Sequence, residues 1–408
     1  MSNKRNKGTR WGVLIFAFSM AFIMVASLAS GYLFNLANQI AFTRQQQAAA
    51  RPTVVPTFEP PVSTAQIAFD RNALQANGLF SLGIPEPPEW GAIESSYDSF
   101  TNRARLLLRG ELNVIEASVE SPTQPVASAA DLETVFTEQT LASSWRNYTN
   151  WRETQRTTVS RNGREFLQMD FELDFQDRTY VARQAAWVEE GRVYSVRVIT
   201  PSNATDLLVF LLESATDNLT VVERFANTPV AWSSYFDGTE NYIVRYPQDW
   251  RVTDSGEGLP TTIEGIDAVM RLESINGASA DSEDAATEFV SGLPGVNEVT
   301  SVVAVEREDL SGFSVAYNFS TLEGPGGSGV VVLLNAEESL YVANLRAENI
   351  DADLNESSDD TQITEYTQIA QTFSPIYGVE YAETSFGSAA PLVEQPGQQP
   401  GNINPGGF

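Results

Sequence analysis

The sequence predicts an α+β protein, with an N-terminal transmembrane helix followed by two tandem α/β/α-sandwich domains whose sheets are mainly antiparallel. Three observations predict this fold class. Residues 11–34 form an apolar run without charges. Residues 167–175 alternate strictly between apolar and polar side chains, which is typical of a half-buried strand. Finally, one order of elements, strand–strand–helix–meander–helix, occurs twice along the chain.

The apolar run at residues 11–34 is long enough to cross a membrane as a helix. At 1.5 Å per residue it would span about 36 Å, against a hydrocarbon core of about 30 Å. The basic tail before it, residues 1–10, carries Lys4, Arg5, Lys7 and Arg10. This charge predicts a cytoplasmic N-terminus and an extracytoplasmic remainder. The alternative is a cleaved signal peptide, although its apolar region would normally be shorter.

The segments around the predicted domains have compositions of their own. Residues 35–64 contain Pro52, Pro56, Pro60 and Pro61 and predict an extended stalk. Residues 65–84 predict a short helical linker with Gly78 as its stop signal. Residues 387–408 are rich in Gly, Pro and Gln, so they cannot bury much apolar surface and predict a disordered tail.

The two predicted domains cover residues 85–225 and 236–378. In the first, Asn162-Gly163 predicts a two-residue hairpin turn in the meander. Helices are predicted in the first domain over 129–141 and 204–217, and in the second over 281–290 and 361–373. Tyr194 and Tyr341 occupy equivalent places in the two meanders.

Composition excludes several kinds of chemistry. The chain has no Cys and no His, and its only lysines are Lys4 and Lys7. The predicted domains therefore have no thiolate nucleophile, imidazole base or Schiff-base amine. The 53 acidic residues outnumber the 25 basic ones, for a formal net charge of −28. Such a charge repels nucleic acid and favours solubility or basic partners.

The second domain opens with the sequence YIVRYPQDWRV, residues 242–252. This opening resembles that of PsbP/Mog1-like domains, with its tyrosine-rich strand, Tyr-Pro step and tryptophan. The first domain is similar in element order only. The resemblance implies an α/β/α sandwich and a mostly non-catalytic family of assembly factors, accessory subunits and binding modules. The family has no shared catalytic motif, so no catalytic or cofactor-binding residue is predicted.

The segment after the second meander resembles the start of a calcium loop. Its candidate metal ligands are Asp351, Asp353, Asn355 and Asp359. They supply oxygen atoms at positions 1, 3, 5 and 9 of such a loop. Position 6 is Glu356 instead of glycine and position 12 is Gln362 instead of glutamate, so the pattern departs from an EF-hand twice. Calcium is the one cofactor that the sequence suggests, and a solvated acidic loop is the alternative.

Two further patterns have simpler structural interpretations. Residues 324–329 match GxGxxG, but a strand follows them where a dinucleotide site needs a helix, so a hairpin loop is predicted. Asp170, Glu172 and Asp174 lie on one face of a predicted strand. Paired carboxylates can perform acid–base chemistry in a cleft, whereas a row on a solvated face is commoner.

The sequence as a whole predicts a membrane-anchored, extracytoplasmic module without catalytic activity, which binds or helps to assemble an envelope component. Its expected contacts are the membrane, through the N-terminal helix, and an envelope protein, but not nucleic acid. Two alternatives are a carboxylate- or metal-dependent hydrolase and a passive acidic spacer. A discrete apolar or cationic patch would favour binding, and converging carboxylates in a cleft would favour hydrolysis.

Overall fold

The computed structural model describes residues 63–253, 260–321 and 326–384, and all of them belong to one compact unit, Pro61–Phe408. The predicted basic tail, transmembrane helix and disordered tail lie outside the described residues, as does most of the stalk. Within 63–253, 260–321 and 326–384, no helix is both long and apolar enough to cross a membrane.

The described residues form 22 strands and five α-helices. In the first part of the chain, the strands are β1 (Ala68–Leu74), β2 (Phe80–Glu86), β3 (Ala92–Asp98), β4 (Arg103–Arg109), β5 (Val114–Glu120), β6 (Asn150–Arg161), β7 (Arg164–Phe175), β8 (Arg178–Glu189), β9 (Arg192–Pro201) and β10 (Leu219–Val221). The α-helices of this part are α1 (Leu132–Val135), α2 (Glu138–Ser144) and α3 (Thr205–Asp217). Short 3₁₀ helices occur at Thr64–Gln66, Ala129–Asp131 and Glu223–Phe225.

In the second part, the strands are β11 (Ser233–Asp237), β12 (Tyr242–Tyr246), β13 (Arg251–Thr253), β14 (Thr261–Glu264), β15 (Ala268–Asn276), β16 (Val296–Arg307), β17 (Leu310–Phe319), β18 (Gly327–Asn335), β19 (Ser339–Glu348), β20 (Ser374–Pro375), β21 (Val379–Tyr381) and β22 (Glu383–Thr384). The helices are α4 (Glu283–Ser291) and α5 (Thr361–Thr372). In both parts a group of strands is followed by a helical segment, a four-stranded meander and a closing helix. The predicted order strand–strand–helix–meander–helix thus recurs in outline, but more than two strands precede the first helix in each part.

Two large sheets have the same strand order, apart from the additional strand β22 at one edge of the first. The first runs β22-β3-β4-β5-β9-β8-β7-β6 and the second β13-β14-β15-β19-β18-β17-β16. Strand β6 thus corresponds to β16, β7 to β17, β8 to β18 and β9 to β19. The pairing is antiparallel throughout except for β1 with β21 and β3 with β22. We call residues 85–225 the first repeat and residues 236–378 the second repeat. The two domain boundaries themselves stay a prediction.

The predicted pair of α/β/α sandwiches is wrong, because much of the layer outside the large sheets is itself β-sheet. The small sheet β10-β2-β1-β21 shares one hydrophobic core with helix α3 and the eight-stranded sheet. The small sheet β11-β12-β20 does the same with α5 and the seven-stranded sheet. Helices cover the opposite faces only as short pieces, α1 and α2 in one case and α4 in the other. The protein is mainly antiparallel β.

The helical linker predicted over residues 65–84 is also wrong. Apart from one 3₁₀ turn, this stretch forms strands β1 and β2. Their partners come from distant parts of the chain, since β10 pairs with β2 and β21 pairs with β1. Leu74, Phe80 and Leu82 are buried in the core beneath α3. Burying each such side chain stabilises the fold by about 1.5–3 kcal/mol, which outweighs the local preference for helix.

Ion pairs are distributed unevenly between the repeats. Among the described residues they lie between Arg71 and Asp217, with one further pair joining Arg71 to Glu380. Among all described residues, no ion pair joins two residues of the second repeat. The most enclosed pair is Arg197 with Glu116, at 2.8 Å, where both side chains are 8% exposed.

Candidate functional site

The structure brings together two of the four candidate calcium ligands. Asp353 Oδ1 accepts hydrogen bonds from Ser301 Oγ at 2.9 Å and from the Asn355 backbone N–H at 2.8 Å. Asn355 Nδ2 donates to Ser301 Oγ and to the carbonyl oxygen of Ser314, both at 3.0 Å. These bonds fasten the loop after β19 to strands β16 and β17.

The other two candidates, Asp351 and Asp359, are exposed and take no part in these bonds. Within the three described ranges, no group of three or more His, Cys, Asp or Glu residues is arranged to hold a metal ion. The calcium site therefore stays a prediction, and the observed role of Asp353 and Asn355 is to position the loop.

The acidic row on β7 consists of side chains with partners. Asp170 accepts two hydrogen bonds from Arg183, at 2.6 and 2.7 Å. Glu172 pairs with Arg152, and Asp174 accepts from two polar side chains. The GxGxxG segment leads into β18, which is a strand, and residues 322–325 are outside the described ranges.

Four arginines around residues 223–232, which connect the two repeats, form no ion pair with any described residue. We call them the junction arginines: Arg192, Arg224, Arg245 and Arg307. Arg146 and Arg251, which also have no ion pair with a described residue, are exposed, whereas the junction arginines are wholly or partly buried. An uncompensated guanidinium that is removed from water carries a large desolvation cost. Such groups occur preferentially at functional sites.

Arg245 is the most deeply buried of the four, with no exposed surface. Its guanidinium donates to Thr228 Oγ1 and to the carbonyl oxygens of Pro229 (2.8 Å) and Trp232 (3.0 Å). Arg192 donates to the carbonyl oxygen of Thr228. Burial lowers the pKa of Arg245 well below its ordinary value, and the Arg192 charge lowers it further. These two arginines hold the connecting segment in place through neutral acceptors.

Arg224 and Arg307 are only partly buried, and their contacts indicate a role other than holding the connecting segment. Both donate to the carbonyl oxygen of Glu306, and the Nε atom of each is buried without a partner among the described residues. Burial, together with the charge of Arg224, lowers the pKa of Arg307 to about 10. Burial also lowers the pKa of Arg224, although the Glu308 carboxylate acts in the opposite direction. Arg307 therefore remains a cation at neutral pH.

Arg307 lies at a small cleft of about 90 Å³ between helix α5 and the large sheet of the second repeat. We call it the arginine cleft. Its apolar lining residues are Val303, Val305, Val330, Val332, Leu354 and Ala370. Its polar lining residues are Arg307, Ser314, Asn355, Thr367 and Gln371. Val303 is 46% exposed, so the cleft opens to solvent.

Two larger clefts in the first repeat differ from the arginine cleft in their charges. One, of about 850 Å³, contains Arg161 paired with Asp217 and Arg164 paired with Glu189. The other, of about 530 Å³, contains Arg156 paired with Glu153. In both clefts the cations already have carboxylate partners. The arginine cleft alone, of these three, offers a cation that an incoming anion could pair with.

Corresponding arginines in the two repeats differ in whether they have carboxylate partners. Arg161 ends β6 and Arg307 ends β16, each followed by a two-residue turn into the next strand. In the first repeat, helix α3 supplies Glu213 and Asp217 to Arg161. In the second, the corresponding helix α5 has no acidic residue after Glu365. Arg307 therefore lacks the partners that its counterpart has.

Comparison with known proteins adds fold similarity only at a low level. No protein-family model and no curated protein sequence matches the chain. A solved structure from Bacteroides thetaiotaomicron VPI-5482 is 12% identical with a TM-score of 0.24 and covers 35% of this chain. This chain covers only 48% of that one.

Two further solved structures cover more of their own length. Cyanobacterial PsbP (CyanoP) from Synechocystis sp. PCC 6803 is 12% identical with a TM-score of 0.21, covering 34% of this chain and 98% of that chain. The immunity protein TplEi of T6SS from Pseudomonas aeruginosa is 11% identical with a TM-score of 0.21, covering 69% and 97%. A PsbP structure is thus among the solved structures to which this chain is similar.

Proposed function

We propose that this chain is a non-catalytic binding module, and that Arg307, which lines the arginine cleft, and the neighbouring Arg224 receive an anionic group of its partner. The observation that carries the proposal is this pair of arginines without an ion pair, beside a small cleft with both apolar and polar walls, in a protein with 53 acidic and 25 basic residues. Ligand sites are typically apolar concavities with a few convergent polar groups.

The free-energy cost of burying these two cations without partners supports the same proposal. Each arginine has a buried Nε atom without a described partner, and the pKa of each is lowered by burial. Replacing uncompensated charges by apolar residues is often neutral or stabilising in proteins. A binding role explains their presence, because the partner's anion would supply the missing charge and hydrogen-bond acceptors.

The proposal also includes the cellular location of the protein and its family. The basic residues before the apolar run 11–34 support a module displayed on the outer side of the cell membrane. The opening sequence at 242–252 and the repeated element order support kinship with PsbP/Mog1-like domains. In that case the partner is an envelope protein that the module binds or helps to assemble.

The experiment is capture of envelope proteins by the full chain, purified in mild detergent, with and without the two arginines. We expect the variant Arg224→Gln/Arg307→Gln to lose a partner that the unaltered chain retains. The matched control is Arg146→Gln/Arg251→Gln, which removes the same charge from two exposed arginines. A partner retained equally by both variants, or by neither, would contradict the proposal.

The sequence leaves two other functions to be weighed. A hydrolase would need carboxylates that converge in a cleft. Glu189 and Asp217 line the 850 Å³ cleft from two elements, β8 and α3, but each is paired with a separate arginine, Arg164 and Arg161, and not with the other carboxylate. A passive spacer would have no use for Arg307 at the arginine cleft or for Arg224 beside it. We therefore place binding first.

A further inference from the structure

The arginine cleft has dimensions that restrict what it can hold. Its volume of about 90 Å³ equals the liquid volume of about three water molecules. An apolar group of three or four carbon atoms would fill it. Valines from two strands line the walls, and the Arg307 guanidinium lies at the same cleft. The cleft therefore combines a small volume, walled in part by valines, with one cation and four neutral polar side chains.

The first repeat shows how the corresponding region looks when it is closed. There, Phe166 packs against Trp187 with ring centroids 5.5 Å apart, and Trp187 stacks on Tyr194 at 5.4 Å. Phe166 is the cross-strand neighbour of Val159, two residues before Arg161. These aromatic side chains fill the space between the sheet and α3.

In the second repeat, the corresponding row of cross-strand neighbours has fewer large side chains than in the first. Val305, two residues before Arg307, pairs with Gly312, and Gly312 pairs with Leu334, the neighbour of Tyr341. Glycine and leucine thus stand where the first repeat has phenylalanine and tryptophan. The second repeat has neither the aromatic pair nor the carboxylates that surround the strand-end arginine in the first. Val305, in this row, and Arg307, at the strand end, both line the arginine cleft.

We propose that the arginine cleft binds a small aliphatic carboxylate, with a branched group of three or four carbons between the valines and the carboxylate paired with Arg307. This assignment rests on the proposed function and names its ligand. A guanidinium presents parallel N–H donors that match a planar carboxylate. Arg224 adds a second positive charge nearby.

A single negative charge fits this protein better than a doubly charged phosphate. The formal net charge of −28 creates a field that repels anions, and the repulsion grows with their charge. A free branched short-chain acid and the C-terminus of a polypeptide ending in valine or leucine carry the same chemistry.

The test measures binding to the full chain by ligand-observed NMR and calorimetry. The probes are isovalerate, its neutral analogue isovaleramide, and a pentapeptide ending in valine with either a free or an amidated C-terminus. We expect isovalerate to bind with a Kd of about 1 mM and isovaleramide at least about tenfold more weakly. If the natural ligand is a chain end, the free-acid peptide binds more tightly than isovalerate and its amide does not.

Three variants connect binding to the cleft. Arg307→Gln should weaken isovalerate binding at least about tenfold, and Arg307→Lys should restore part of it. Gln371→Glu places on α5 a carboxylate of the kind that neutralises Arg161, and should also abolish binding. Arg251→Gln, at an exposed arginine, is the charge-matched control and should bind normally.

Equal binding of isovalerate and isovaleramide, or unchanged binding by Arg307→Gln, would overturn the ligand assignment. Absence of binding by every probe would overturn it too. If partner capture still depended on Arg224 and Arg307 in those cases, the proposed function would stand with a different ligand. If capture were also independent of the two arginines, both proposals would fail together.

Discussion

Arg224 and Arg307 donate to one and the same acceptor, the carbonyl oxygen of Glu306, at 3.5 and 3.0 Å. Two like charges thus meet at one neutral oxygen. Of the two arginines, only Arg224 has its pKa affected by the nearby Glu308, which does not form an ion pair with either of them. The arrangement keeps positive charge at the arginine cleft, and several measurable properties of the protein follow from it and from the contrast with paired arginines elsewhere.

The affinity for a carboxylate ligand should depend on pH only at the alkaline end. Binding needs the protonated guanidinium, and burial together with Arg224 lowers the pKa of Arg307 to about 10. Bound carboxylate favours the charged form, so binding raises this pKa and takes up protons. We expect constant affinity at neutral pH and a decrease as the pH rises through about 10, measured by titration from about pH 8 to about pH 11. A flat profile over that range would rule out Arg307 as the charged contact.

Glu116→Gln should destabilise the protein by about 3 kcal/mol, because it leaves the buried Arg197 charge without its partner. Urea unfolding of the variant and the unaltered chain measures the difference. The control is Glu172→Gln, which breaks an exposed pair with Arg152 and should cost no more than about 1 kcal/mol. Equal losses for the two variants would contradict the distinction between buried and exposed pairs.

The same carboxylate predicts acid sensitivity. Burial raises the pKa of Glu116, but the charges of Arg197, Arg105 and Arg103 outweigh burial, so its pKa is below 4.5. A carboxyl group with a lowered pKa adds stability above its unfolded value, and this stability is lost as the pH falls through the folded value. Below about pH 4.5, the stability of Glu116→Gln should therefore fall less steeply with acidification than that of the unaltered chain.

Arg245→Met should loosen the segment between the two repeats. The substitution keeps an apolar stem, but the carbonyl oxygens of Pro229 and Trp232 lose their donor. Each buried acceptor left unsatisfied costs about 1–3 kcal/mol. We expect a lower melting temperature and faster proteolytic cleavage between residues 226 and 232. Arg251→Met, at an exposed position, is the control and should change neither property.

Asn355→Asp tests whether the loop after β19 is fastened by hydrogen bonds or by calcium. The amide donates to Ser301 Oγ and to the Ser314 carbonyl oxygen. An aspartate would place an acceptor against that carbonyl, so we expect a loss of about 1–3 kcal/mol without calcium. Recovery of stability on adding calcium would instead support the calcium loop that the sequence suggests.

Local signals in the sequence predict much of the fold. Asn162 and Gly163 have positive φ angles of 53° and 77°, as the predicted turn between β6 and β7 requires. The alternating segment 167–175 lies inside β7, and the helix predicted over 204–217 is α3. The helix predicted over 129–141 is broken, because Thr137 caps a new helix by accepting a hydrogen bond from the Thr140 backbone N–H. Turn and alternation signals thus agree with the structure, whereas the helix predictions for residues 65–84 and 129–141 fail wholly or in part.

The candidate site could not be predicted in the same way. Its signal is the absence of a carboxylate beside Arg307, and this depends on how α5 packs over β16. The sequence does place Arg161 and Arg307 before equivalent two-residue turns, and only α3 of the two following helices carries acidic residues near its end. Aligning the two repeats strand by strand would have exposed the difference. Neither arginine belongs to a motif that could be recognised alone.

The one-sided distribution of ion pairs has a consequence for how the two repeats evolve. Ion pairs and an aromatic row reinforce the first repeat, whereas the second contains no ion pair between described residues of its own. Most random substitutions reduce stability, and a chain tolerates them only while a reserve remains. Because both repeats belong to one compact unit, stability contributed by the first also offsets exchanges around the cleft of the second. Related chains should therefore vary more in the second repeat than in the first, and the variation should follow the partner of each chain.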